Sequence, residues 1–154
     1  MYQAVLATLE ASALGQLARG LSWLYPLANL LHVLGAALLV GGIAVFDLAV
    51  LLRRDGAVPV HRVALGVAAF GLALQIPTGV VLLSAEATAA GMNPAFLFKL
   101  AMIGLGVLNV AVFHFRFRRA LLDGVLPPAA TLYAALSFLA WTLALLAGRA
   151  IAYL

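Results

Sequence analysis

The sequence predicts an all-α integral membrane protein. It reads as an up-down bundle of four spanning helices, preceded by a short interfacial helix, in one membrane domain over residues 1–154. Three observations predict this. Of the 154 residues, 66% are hydrophobic and 9% charged, against about a quarter charged in an ordinary soluble domain. Four apolar stretches, 25–52, 60–84, 96–118 and 129–152, each exceed the roughly 20 residues that cross a bilayer. The connections between them are short, which forces successive spans to run antiparallel.

Each element carries a local reason. Residues 3–20 read as a helix lying in the membrane interface, with Val5, Leu6, Leu9 and Leu17 on one side. Glu10 and the absence of a basic leader make this stretch unlike a cleaved signal, so it is expected to be retained. Trp23 and Tyr25 suit the interface at the start of the first span, and Pro26 suits a first helical turn. RRDGAVP at 53–59 is a charged turn, AEATAAGMNP at 85–94 a polar connection, and RFRRALLDGVLPP at 116–128 ends in prolines that open the last span. Ala37, Gly41 and Gly42 on the first span, and Gly104 and Gly106 on the third, are expected to let backbones approach. Pro77 and Gly79 are expected to bend the second span.

Charge sets the orientation. Arg53, Arg54, Arg62, Arg116, Arg118 and Arg119 gather at one end, whereas Arg19, Lys99 and Arg149 belong to the other. The positive-inside rule then predicts a bacterial inner (cytoplasmic) membrane protein with both termini periplasmic. The basic residues sit at helix ends, so their partner is the lipid bilayer and not nucleic acid. With no cysteine, disulfides, thiolate metal sites and covalent c-type haem are excluded. Nucleophilic triads, phosphate loops and carboxylate dyads are also absent from the pattern.

The polar residues inside the spans carry the functional signal, because ionisable groups in lipid are costly. The first and third spans run the same way. His32 follows Pro26 by six residues and Lys99 follows Pro94 by five; fifteen residues further on stand Asp47 and His114 respectively. Fifteen residues rise roughly 22 Å and return to within about 60° of the same helix face. Two polar levels follow: His32 with Lys99, joined by Arg149, near the outer surface, and Asp47, His61 and His114 near the inner one. Asp47 is expected to pair with His114 or with an arginine, Arg62 or Arg116. Gln75 and Asn109 are expected to make interhelical hydrogen bonds.

A neutral histidine in an apolar bundle is the usual axial ligand of haem b. On that reading His32 is the iron ligand, and Lys99 is the catalytic companion as sixth ligand, propionate partner or proton carrier, with Arg149 a second propionate partner. Copper is the alternative cofactor, held by His32 and Met92. A cofactor-free membrane anchor or assembly subunit is the third reading. A periplasmic or membrane redox partner and a second copy of the chain are both compatible with the first.

WLYPLANLLHVLGAALLVGGIAVFDLAVLLR and MNPAFLFKLAMIGLGVLNVAVFH together resemble a family of small four-helix bacterial membrane proteins known as a domain of unknown function. The resemblance spans Trp23 to His114. More distantly, the histidine on the first long helix and the lysine on the third are similar to the essential pair of the HemJ-type protoporphyrinogen oxidases, and the chain is also distantly similar to the CopD copper-resistance membrane proteins. The first resemblance implies porphyrin redox chemistry at His32 and Lys99, and the second implies copper handling. After the histidine, this chain departs from the oxidase pattern with GGIAVFDLAVLLR.

Overall fold

The computed structural model describes residues 1–53 and 57–153. Arg54, Asp55 and Gly56 of the charged turn, and Leu154, lie outside the described residues. Seven helices occur among the described residues: α1 (Tyr2–Ala11), α2 (Ala13–Gly20), α3 (Leu24–Leu51), α4 (Ala57–Ala85), α5 (Ala87–Met92), α6 (Pro94–Asp123) and α7 (Ala130–Ala150). Of these, α3, α4, α6 and α7 are long and apolar enough to cross a membrane. The chain is an all-α, multi-pass membrane protein. Large apolar side chains turn outward on all four, among them Leu30, Val63, Phe70, Leu108, Phe115 and Leu146. In water such a surface would be a liability; in lipid it is the solvated face.

The interior is built from small residues. Ala64, Ala68, Ala134, Ala140, Ala144 and Ala147 are buried, as is Trp141. Without a hydrophobic force between helices in lipid, close backbone approach supplies the packing. The tightest crossing joins α3 to α4. A Cβ on Gly71 would overlap the Leu39 nitrogen, and one on Gly42 would stand 2.8 Å from the Ala64 carbonyl oxygen. Gly35 is equally pressed, 2.9 Å from the Gly71 carbonyl oxygen. Of the glycines expected to pack, Gly42 and Gly106 do so, whereas Gly41 and Gly104 have nothing within 4 Å. The indole of Trp141 fills the space over Gly106.

The helices pair as α3 with α4, α6 with α7, and α3 with α7. Helix α6 makes no comparable backbone packing with α3 or α4. The first and third spans therefore do not lie side by side as a packed pair, as the shared polar spacing suggested. They face each other across a seam closed by side chains.

The helix ends follow capping chemistry. Asn93 Oδ1 accepts from the Ala95 amide at 2.8 Å, with Pro94 at the first helical position of α6. Gly124 ends α6 in the left-handed region, at φ 80°, where a residue with a Cβ is penalised. Near that end α6 leaves helical geometry at Phe117. Helix α4 runs unbroken through Pro77.

The N-terminal segment departs from expectation. It is two helices, broken at Ser12, whose hydroxyl accepts from the Gly15 amide as the α2 N-cap. Its apolar residues do not share a side, because Leu6 is buried while Val5 and Leu17 are exposed. Nor does it lie apart from the bundle. Helix α2 packs on α4 and α1 packs on α5, and α5 itself replaces part of the expected loop at 85–94 with a helical turn. Arg19 donates to the Ala85 carbonyl at 2.9 Å and to the Glu10 carbonyl at 2.9 Å. It thereby satisfies a carbonyl left open at the end of α4. Glu10 accepts from the Thr88 amide at 2.7 Å, which, with the nearby Arg19, holds its carboxyl below the ordinary 4.5.

Candidate functional site

Two polar levels bridge the seam, one toward the chain termini and one toward the arginine-rich end. At the first, His32 of α3 is fixed from α4. Gln75 Nε2 donates to the His32 carbonyl at 2.6 Å, the interhelical bond expected of Gln75. The Thr78 hydroxyl donates to the Leu74 carbonyl at 2.5 Å, so its oxygen is left to accept. It stands 2.9 Å from His32 Nδ1, which places the imidazole proton on Nδ1. The lone pair of Nε2 then faces Lys99 Nζ of α6 at 3.5 Å.

Two glycines leave room for these heads. A Cβ on Gly79 would stand 3.2 Å from His32 Cε1, and one on Gly148 of α7 would stand 3.4 Å from Lys99 Nζ. All four long helices thus contribute to this level. Arg149 does not join it. Its guanidinium donates to the Tyr153 hydroxyl at 2.6 Å and lies 4.9 Å from that ring's centre. A helix-end arginine beside an aromatic neighbour one turn on takes the local partner over a distant one. Met92 also stays outside, its sulfur 4.0 Å from Gln3 Nε2 of α1.

At the second level His61 of α4 meets His114 of α6, with Nε2 to Nε2 at 3.1 Å. His114 Nδ1 faces the Val110 carbonyl at 2.8 Å, so that nitrogen carries the hydrogen and His114 Nε2 accepts from His61 Nε2–H. Phe46 packs edge-on to His61, with ring centres 4.9 Å apart. Asn109 Nδ2 donates to the Tyr133 carbonyl of α7 at 3.0 Å, as expected of it. Asp47 does not meet the expected partner. It is 3% exposed, forms no ion pair among the described residues, and its Oδ2 has no hydrogen-bond partner. Arg62 and Arg116 are exposed, away from the buried interior where Asp47 lies. Asp47 instead lines a small cavity that His61 and His114 also line.

Between the levels lies an apolar plug of Leu39, Ala68 and Trp141, with Val40, Ile43, Leu72 and Ile103 around it. Among the described residues no three His, Cys, Asp or Glu side chains gather closely enough to hold a metal ion.

Thr78, Gly79 and Gly148 were not read as site residues from the sequence. A signal existed for α4: positions 71, 75, 78 and 79 share one helix face, so its small and polar residues mark the side turned to His32. For Gly148 the only signal was its place beside Arg149.

Comparison of the chain with protein-family models, with curated proteins and with solved structures returned no match.

Proposed function

We propose that this protein binds haem b, or a related porphyrin, at the His32–Lys99 pair, and serves membrane electron transfer or porphyrin redox chemistry. The observation that carries the reading is the orientation of His32. A histidine that ligates iron donates its other ring N–H to a fixed acceptor, and Thr78 is such an acceptor for Nδ1. The donor set suits a tetrapyrrole: one imidazole nitrogen with its lone pair turned to the seam, and one cation opposite it. The direct approach of Nε2 to Nζ means that a macrocycle takes the place of that contact. The seam between α4 and α6, closed by side chains alone, is the way in from lipid. Bound haem supplies a one-electron couple tuned by its axial ligand. The chain's own part is to hold Nε2 in place, to set an ammonium beside the guest, and to exclude water.

We also place the protein in a bacterial inner membrane with both termini outside, because Arg53, Arg62, Arg116, Arg118 and Arg119 gather at the opposite end. The cysteine-free chain suits a labelling test. Gln16→Cys should react with a membrane-impermeant maleimide on intact spheroplasts, and protection there would invert the topology.

The absorption spectrum of the detergent-purified protein, oxidised and reduced, tests the main reading. A Soret band should appear with haem supplementation, vanish in His32→Ala and persist in His61→Ala. A colourless wild-type protein after supplementation would falsify it.

A further inference from the structure

The geometry points to a second site: we propose that Asp47, His61 and His114 hold and pass a proton through a cluster of water in the cavity they share. It does not depend on what His32 and Lys99 bind.

Three observations carry it. Asp47 is 97% buried, by its 3% exposure, and its Oδ2 is without a partner. A buried polar atom in that state is rare and costly unless water reaches it. The cavity beside it measures about 50 Å³, and at about 10–15 Å³ per water on this measure it has room for about three to five molecules. Its lining is mostly apolar, with Asn109 of α6 and Tyr133 and Ser137 of α7 as the further polar residues along it. Finally, the histidine pair is wired for a single proton. Val110 fixes Nδ1–H on His114, His114 Nε2 accepts from His61 Nε2–H, and the neutral pair keeps one free lone pair, on His61 Nδ1.

The transfer balances. A carboxyl O–H on Asp47 breaks, its proton moves through water, and a new N–H forms at His61 Nδ1. A neutral acid and a neutral imidazole become a carboxylate and an imidazolium whose Nε2–H is shared with His114. The titratable groups on the cavity wall are Asp47 from α3, His61 from α4, His114 from α6 and Tyr133 from α7. Among the described residues no lysine or arginine lines it. The three side chains do not converge closely enough for a metal ion, so a proton moving through water is the species this spacing suits.

Infrared spectroscopy of the full chain in lipid nanodiscs, taken across pH, provides the test. A carboxylic-acid C=O band should shift in D2O and disappear in Asp47→Asn. Its pH midpoint should move by about one unit in both His61→Gln and His114→Gln, as interacting sites require, and stay unchanged in His32→Gln. An Asp47 band with the same midpoint in all three histidine variants overturns the proposal. Should Asp47→Asn fail to fold, nitrogen-15 NMR of the wild-type histidines decides. Linked inflections at His61 and His114 support the shared proton, and two independent single inflections overturn it.

Discussion

The two polar levels use similar parts on α3 and α6, fifteen residues apart on each helix, yet they differ in how fully those parts are satisfied. At the terminal level α4 contributes Thr78 and Gln75, and both bond to His32. The imidazole is held in one tautomer with one nitrogen turned to the seam. At the arginine-rich level α4 contributes His61, which bonds to His114 and leaves Asp47 Oδ2 without a partner. The first is a fixed imidazole with its partners in place. The second is an unfinished network beside a cavity. What decides between them is the helix that the 15-residue spacing does not mention.

The comparison can be broken outright at the crossing both levels rest on. Gly71→Leu would drive a side chain into the backbone of Leu39 and Gly35, which cannot yield. A loss of about 3 kcal/mol or more is expected, removing both levels together, and thermal unfolding in detergent measures it. A wild-type melt would mean that this crossing does not align them.

Smaller changes should move the two levels in opposite directions. Gln75→Leu removes a satisfied bond to the His32 carbonyl and should cost about 1 kcal/mol. Asp47→Leu removes a carboxyl whose Oδ2 is orphaned and should leave stability unchanged or raise it by about 1 kcal/mol. Equilibrium unfolding in mixed micelles reads both. A loss beyond about 2 kcal/mol for Asp47→Leu would mean that the carboxyl has a structural partner.

Thr78→Val sharpens the contrast without testing stability. It takes away the acceptor that holds the hydrogen on Nδ1, so His32 should show a mixture of tautomers by nitrogen-15 NMR, with His61 and His114 unchanged. A single unaltered tautomer in the variant would show that Lys99, not Thr78, sets the proton.

The smallest effect belongs to the layer at the terminal end. Glu10 has its folded pKa below the ordinary 4.5. Its bond to the Thr88 amide is therefore fully present above that value and is lost as pH falls through the lower folded one. The protection of the Thr88 amide, relative to its intrinsic exchange rate, should fall in acid, and Glu10→Gln should remove the dependence. The His32 tautomer should not change over the same range.

The four spans were legible because lipid demands long apolar runs, and their observed ends lie within about five residues of those expected, inside the usual fraying for two of them. The two depths were legible because helix rise is fixed. Helix partners were not. Small residues occur on every span, and sequence alone gives no reason why Gly42 meets α4 while Gly41 meets nothing. The isolation of Asp47 was hidden for a related reason. The rule that a buried charge finds a partner names candidates such as Arg62 and Arg116, but rotation about each helix axis decides which are turned inward. The break at Ser12 was readable in principle, since a serine three residues before Gly15 is a capping position, but the surrounding apolar run masked it.

Helix α6 packs its backbone chiefly on α7 and meets α3 and α4 through side chains, the two histidine contacts together with Ile103 and Phe113. Swinging it outward would part side chains rather than interlocked backbones, while the glycine-locked α3–α4 half stays together. A flat, oil-soluble molecule travelling within the bilayer would then meet the imidazole sideways, never having to cross a headgroup layer. Selection at such a door works by thickness and lipid solubility before any chemistry begins.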